Sequence, residues 1–387
     1  MNFNLSENHA DFKNQARKLC EERLKPVVLK LDKDHEYPRD FLRLLGEQGF
    51  MGVWLPKKCG GLGQGVLSLV LITEEIARVC AGTSAAYGAT ALGALPILLS
   101  GTEEQRKKYI TKIASGGIAS FAITESGSGS DAFNMTTKAV RDGDYYVLNG
   151  EKQFITNAGE CEFCVVFAKT SKSNRGFAGF IVERGTPGFS VSPKLDKMGL
   201  HCSDTRDIAL IDCRAHKDNL LGGNENEGIL AALNTFPRSR IVVGAQGLGL
   251  AQGAFANAWT YAQQTKRFGK KVNEFQAIQH DFAEMELMIE TARNLVYKAA
   301  WFVDRGIKTA KDRNEMVRLA SLAKWYGADI AFRVANMAVD ICAGSGYMHE
   351  NGTEKFLRDA KALQIYEGTA NIQQNEIVQA LLRGPGK

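Results

Sequence analysis

The 387 residues predict an α+β fold: a helical domain (1–117), a small β domain (118–228) and a helical bundle (229–387) in succession. Three observations carry that prediction. Apolar residues recur at helical spacing from Ser6 to about Gly117. The signal then changes to short apolar runs separated by turn residues as far as Gly228. Long helical periodicity returns from Ile229 onwards. Hydrophobic residues at 44% and charged residues at 24% are ordinary globular values and exclude a disordered chain. Thirty-nine glycines against eight prolines favour long helices and close backbone approaches over a proline-rich linker.

In the first zone, Phe12, Ala16 and Cys20 form one helical row. Phe41, Leu42, Leu44 and Leu45 start another, and Leu67, Leu69, Leu71, Ile72, Ile76 and Val79 a third. Gly60-Gly61-Leu62-Gly63 breaks the chain between the last two. In the second zone, Tyr145-Tyr146-Val147-Leu148 leads into Asn149-Gly150 and then Gln153-Phe154-Ile155, which predicts a hairpin turning at Asn149-Gly150. Runs at 177–182, 189–191 and 208–211 continue the strands, with Gly185, Pro187-Gly188 and Gly199 between them. The third zone shows helical stretches over 251–264, 277–303 and 313–339. No internal repeat or low-complexity tract is visible. The meeting of the β domain with the helices is the expected place for a ligand cleft.

Forty-eight basic against 43 acidic residues leave a formal charge of +5, too scattered to argue for nucleic acid but suited to a polyanionic small ligand. No apolar run approaches the roughly 18 residues of a membrane span; the longest, near 91–99, stops at Ser100. The eight cysteines show no disulfide pattern. Cys161-Glu162-Phe163-Cys164 lacks the second pair that zinc needs, and Phe163-Cys164-Val165-Val166-Phe167 reads as a buried strand. These are expected to be structural thiols in a reducing compartment, with no metal. The first residues show neither a secretory nor an organellar signal, so a cytoplasmic location is expected.

Two glycine-rich segments and one acidic residue carry the chemical interest. Thr124-Glu125-Ser126-Gly127-Ser128-Gly129-Ser130-Asp131 follows the apolar strand 119–123; it is either a plain loop or a cradle offering N–H groups and hydroxyls to an oxygen-rich ligand. Gly247-Leu248-Gly249-Leu250-Ala251-Gln252-Gly253 imitates a dinucleotide fingerprint but sits inside a helical run, so close helix packing is the expected role. Metalloprotease, α/β-hydrolase and zinc-site motifs are absent. Glu367 lies between Tyr366 and Gly368 after a helical stretch. On spacing it is a surface residue; buried against an apolar ligand, its pKa would rise and suit it to proton abstraction.

Taken together and in order, these segments resemble an acyl-CoA dehydrogenase over nearly the whole chain. The carriers are Ala122-Ile123-Thr124-Glu125 with 127–131, Asn149-Gly150-Glu151-Lys152-Gln153-Phe154-Ile155-Thr156-Asn157, Lys197-Met198-Gly199 and Ser203-Asp204-Thr205-Arg206. They continue through 247–252, Phe268-Gly269-Lys270, Gln276-Ala277-Ile278, Arg358-Asp359-Ala360 and Ile365-Tyr366-Glu367-Gly368-Thr369. The resemblance implies a C-terminal four-helix bundle, a homotetramer, and FAD held without a covalent bond, partly across a subunit boundary. It also implies α,β-dehydrogenation of an acyl-CoA thioester, with electrons passing to an electron-transfer flavoprotein. A carboxylate takes the α-proton while the β-hydrogen leaves as hydride to flavin N5.

Carried over by position, the resemblance assigns the base and half of the oxyanion hole to Glu367. Thr124 matches a contact to the flavin edge, Phe154 the aromatic covering the ring, and Thr156 the hydroxyl beside it. Phe121, Ile123, Gly129, Ser130, Arg267, Phe268, Gln276, Asp340, Gly344, Thr369 and Asn371 complete the implied cofactor set. Ser130 also matches a CoA contact. Ser239, Arg240, Tyr366, Gly368 and Tyr87 fall on the substrate side, with Arg240 placed for the CoA arm.

Three departures from the family pattern stand out. Thr265 replaces an arginine that reappears two places on as Arg267, Phe275 replaces a histidine, and Asp340 replaces a glutamine. All belong to the region that holds the far end of the cofactor. An aspartate facing phosphate is repulsive, so Arg267 or Lys266 is expected to pair with Asp340 and FAD to be retained. The small residues Ser84, Ala85, Gly88 and Ala91 predict a wide acyl pocket and a short-to-medium substrate, branched or alicyclic chains included. No arginine is placed to clamp a second carboxylate. The alternatives on the same scaffold are an enoyl-CoA reductase or an acyl-CoA oxidase, and, in another class, a non-catalytic FAD-binding assembly protein.

Overall fold

The structure, a computed structural model, describes residues 4–171 and 176–384. Seven helices come first: α1 (Glu7–Leu19), α2 (Val28–Lys33), α3 (Arg39–Glu47), α4 (Gly65–Val79), α5 (Ala81–Ser100), α6 (Glu103–Gln105) and α7 (Thr111–Ala114). The Ser6 hydroxyl accepts from the His9 N–H and caps α1. Helix α5 corrects the expectation about apolar runs, because it is long and apolar enough to cross a membrane. Most of it is buried inside the protein, as suits a core helix.

Strands follow: β1 (Ala119–Ala122), β2 (Lys138–Asp142), β3 (Tyr145–Thr156), β4 (Phe163–Lys169), β5 (Phe177–Glu183), β6 (Phe189–Val191) and β7 (Thr205–His216). They form one sheet in the order β1-β4-β2-β3-β7-β6, with β5 paired to β4. Strand β4 is buried from Phe163 to Ala168, as its apolar run predicts. The Asn149-Gly150 hairpin does not exist. Strand β3 runs straight through it, and the β2–β3 turn falls at Gly143-Asp144, set by the Asp142–Tyr145 pair. Asn149-Gly150 is instead a register shift against β7. The Asn149 side chain bonds Asp212 in both directions, at 2.8 and 3.1 Å.

The C-terminal helices are α8 (Gly228–Gln264), α9 (Gln276–Asp304), α10 (Ala310–Tyr347), α11 (Thr353–Leu363) and α12 (Ala370–Leu382), with a two-stranded ribbon of β8 (Lys266–Arg267) and β9 (Lys270–Lys271) after α8. The glycines of α8 act as helix contacts. A Cβ at Gly247 would stand 2.2 Å from the Gly327 carbonyl of α10, and one at Gly249 2.1 Å from the Glu74 carbonyl of α4. Small residues therefore let α8 lie against two neighbours at backbone distance. All eight cysteines are free and buried, and no potential metal cluster occurs among the described residues.

Candidate active site

The loop between α11 and α12 carries Tyr366, Glu367 and Gly368. Glu367 (φ +56°) and Gly368 (φ +94°) are both left-handed, which a glutamate adopts only when its surroundings impose it. Those surroundings are visible. Gln373 Nε2 donates to the carbonyls of Glu367 (3.1 Å) and Gly368 (2.9 Å), and Lys324 Nζ of α10 donates to Gly368 O at 2.6 Å. Ser239 Oγ of α8 donates to Glu367 Oε2 at 2.6 Å. The Tyr366 hydroxyl donates to Gln246 Oε1, and Gln246 Nε2 in turn holds the Ser84 carbonyl of α5 at 3.0 Å. Three helices thus converge on one turn.

Glu367 is half-buried in this chain. Burial raises the Glu367 pKa above the ordinary carboxylate range, opposed by the Ser239 hydrogen bond and the charges of Arg240 and Lys324. Burial pushes the Lys324 ammonium down to about 8, opposed by Glu367. No hydrogen bond within the described chain occupies the Glu367 N–H.

The sheet reaches this cluster through aromatic contact. Phe121 of β1 meets Phe236 of α8 at 6.1 Å between centroids, one helical turn before Ser239. The ends of β1 and β3 are tied by Ser120 Oγ to Thr156 O (2.9 Å) and by Gln153 N–H to Thr124 O (2.8 Å). Ile123, buried beside Thr124, gives its carbonyl to Lys152. The half-buried hydroxyls of Thr124 and Thr156 have no partner within the described chain. Next to Thr156, Phe154 (φ +61°) leaves 60% of its surface exposed, a large apolar face with nothing upon it. Beyond the turn, Ser130 and Gly129 are exposed, and a cavity of about 510 Å³ opens between Asp131, Phe133, Lys169, Phe177 and Ile229.

Three models of one family match in order: the acyl-CoA dehydrogenase N-terminal domain over residues 6–117, the middle domain over 120–213 and the C-terminal domain over 226–382. The chain belongs to the acyl-CoA dehydrogenase family. It is 40% identical to the caffeyl-CoA reductase–Etf complex subunit CarC of Acetobacterium woodii, over 98% of this chain and 99% of that one. It superposes on the butyryl-CoA dehydrogenase structure from Megasphaera elsdenii with a TM-score of 0.94 and 39% identity, covering 99% and 100% of the two chains. An acyl-CoA dehydrogenase from Bacillus anthracis, solved in complex with FAD, aligns at 32% identity and a TM-score of 0.93, covering 98% of this chain and 69% of that one. As a member of this family the chain is an oxidoreductase, and FAD is the family's cofactor.

The residues present fit that group. A flat heteroaromatic ring with donors and acceptors along its edge matches the exposed Phe154 face beside two unpartnered hydroxyls. Thr369, at the N-cap of α12, likewise leaves its hydroxyl uncommitted. Gly127 and Gly129 leave open space where a Cβ would stand. By contrast, Arg267, Phe268, Gln276, Asp340, Gly344 and Asn371 are all exposed, Phe268 by 97%.

Four expectations require correction. Arg240 is not free for a CoA arm: it is buried, over the Phe236 ring and 3.4 Å from Glu376. Tyr87 is a core residue whose hydroxyl is spent on the Phe50 carbonyl at 2.9 Å. Asp340 accepts from Asn336 at 3.0 Å, while Arg267 turns to Lys266 O and the Tyr261 hydroxyl. Nor do the small residues of α5 widen a pocket. A Cβ at Gly88 would stand 2.9 Å from Gln246 Nε2, and Ser84 Oγ is bonded to Thr73 O, so they bring α5 onto α8 and α4.

Sequence reasoning missed Lys324, Gln373 and Gln246. Lys324 had a signal, a lone charge on the apolar row of α10 that includes Ala320, Ala323, Gly327 and Ala331.

Proposed function

We propose that the chain dehydrogenates a short-to-medium acyl-CoA thioester to its 2-enoyl-CoA, with Glu367 as the base. The observation that carries this is the left-handed Glu367 turn: a half-buried carboxyl held by Ser239, with an N–H left open beside it. A C–H next to a thioester is a very weak acid, so its removal needs a base at contact and a donor at the carbonyl oxygen where charge collects. Glu367 offers both. Burial favours its neutral, proton-bearing form after transfer, while Ser239, Arg240 and Lys324 hold the charged form beforehand. FAD, when bound, supplies the electron-poor ring that accepts the hydride leaving the β-carbon.

Thr124, Thr156 and Phe154 would hold that ring, with Thr369 and the Gly129–Ser130 turn beside it. Arg267, Phe268, Gln276, Asp340 and Gly344, exposed on one chain, would meet the far end of the cofactor in a homotetramer. Electrons then leave to an electron-transfer flavoprotein, a reading that the Etf complex of the CarC relative supports. Gly88 and Ser84 give no support to a branched or alicyclic preference, and the butyryl-CoA dehydrogenase relative favours a short chain. Reduction of an enoyl-CoA by the same residues is the second reading, favoured by the reductase named among the relatives.

Anaerobic titration with butyryl-, isobutyryl-, octanoyl-, cyclohexanecarboxyl- and palmitoyl-CoA, watching the flavin absorbance bleach, tests the proposal. Bleaching greatest with butyryl-CoA is expected; a sharp optimum at palmitoyl-CoA, or no bleaching with any thioester, would refute it. Turnover in air that depends on an added acceptor, and is unchanged under argon, excludes the oxidase.

A further inference from the structure

Helix α10 carries one charge where its neighbours are small. Lys324 sits among Ala320, Ser321, Ala323, Gly327 and Ala328 with 1% of its surface exposed. Burying an ammonium is costly unless an anion or several acceptors compensate. Lys324 has little of either: Glu367 is the anion that acts on it, but no carboxylate lies within 4 Å among the described residues, and its one hydrogen bond goes to the Gly368 carbonyl, one residue past Glu367. What this position does provide is a positive charge and a donor at the turn that bears the base.

We infer that Lys324 is a positioning residue for proton transfer: through the Gly368 carbonyl it pins the left-handed Glu367–Gly368 turn, and its charge steadies the Glu367 carboxylate before the proton moves. This rests on the reading of Glu367 as the base.

The groups facing Glu367 come from three elements. Helix α8 contributes the Ser239 hydroxyl and the Arg240 guanidinium, and α10 contributes Lys324. Helix α12 contributes Gln373, which binds the turn's carbonyls, and Glu376, which meets Arg240 at 3.4 Å. Since Glu376 partly neutralises Arg240, Lys324 is the uncompensated cation of the set. Its direction of action follows. Removing it leaves burial less opposed, so Glu367 holds its proton to higher pH and is a weaker base near neutrality.

The test compares holoenzyme carrying Lys324→Met, Lys324→Arg or Glu367→Gln with the parent. Flavin-to-protein ratio and thermal midpoint establish that each variant is assembled. The first readout is the pH dependence of anaerobic flavin bleaching by whichever acyl-CoA of the panel above reacts fastest. The second is deprotonation of acetoacetyl-CoA, followed by its enolate absorbance, which needs no electron transfer.

In Lys324→Met the acidic limb of both profiles moves to higher pH, so the rate measured on that limb falls severalfold below the parent's. Lys324→Arg, which keeps the charge, returns the limb towards the parent. If the Met variant fails to assemble, Lys324→Gln, which keeps a donor but no charge, is expected to show the same shift. A flavin-replete uncharged variant whose profiles overlay the parent overturns the inference. Should Glu367→Gln bleach at the parent rate, the underlying reading fails instead, so the two failures are distinguishable.

Discussion

Replacing Lys152 with methionine would strip the Thr124–Asp131 turn of its anchor. The Lys152 side chain is fully buried, and its ammonium meets Glu125 Oε1 at 2.8 Å, Ile123 O at 3.2 Å and Met135 Sδ at 3.5 Å. Burial alone would raise the Glu125 pKa, but the hydrogen bonds from Lys152 and Thr137 outweigh it and hold it at about 2. Burial pushes Lys152 down to about 8 against the pull of Glu125. Breaking a buried pair from one side typically costs about 3–5 kcal/mol, because a bare charge is left behind. Here Glu125 keeps its donors from Thr136 and Thr137, which places the loss near the lower end, at about 3 kcal/mol. Guanidinium titration of the holoprotein at fixed concentration reads the stability, and the flavin-to-protein ratio after dialysis reads the turn. Both should fall in Lys152→Met, and the double variant with Glu125→Gln should recover part of the stability. Because the Glu125 pKa is lowered on folding, this contribution is present above the ordinary 4.5 and fades as pH falls towards 2. A Lys152→Met protein as stable and as yellow as the parent would refute the reasoning.

Gly249→Ala drives a methyl to 2.1 Å from the Glu74 carbonyl, so α8 must separate from α4. A loss of about 1–3 kcal/mol or more is expected, and an unchanged unfolding midpoint would contradict the packing. Glu367→Gln should raise the thermal midpoint of the free protein at neutral pH. A carboxyl whose pKa is raised on folding costs stability above its unfolded value of 4.5, so the gain disappears below that pH; an equal gain at about pH 4 would point to another cause. Ser239→Ala removes the 2.6 Å donor to Glu367 Oε2 and should move the acidic limb of flavin bleaching to higher pH. An unmoved limb would mean that the hydroxyl serves only the Phe236 carbonyl, to which it also lies within 3.1 Å.

Local sterics were well written in the sequence; side-chain partnerships across helices were not. The row Gly247, Gly249 and Gly253 reads as close helix packing because only a missing Cβ permits backbone contact, and the structure shows all three against neighbouring carbonyls. The buried strand around Cys164 was legible for a similar reason, since a continuous apolar run needs cover on both faces. Asn149-Gly150 misled because the same dipeptide serves a hairpin turn or a bulge, and a long-range bond to Asp212 decides between them. At the candidate site, spacing alone left Glu367 either exposed or buried. What holds it is Ser239, 128 positions earlier, together with a lysine whose charge looks like any other helix charge until the fold brings it to the Gly368 carbonyl. Asp340 shows the converse: a departure from the family pattern invited a rescuing ion pair, yet within one chain Asn336 already occupies that carboxylate.

The most direct measurement is the rate at which an acyl-CoA bleaches the flavin anaerobically in Glu367→Gln beside the parent, with ligand affinity measured separately in each. If Glu367 takes the α-proton, the variant binds the thioester about as well and bleaches slower by about 10²–10⁴-fold. Equal affinity with equal bleaching would assign proton removal to some other group.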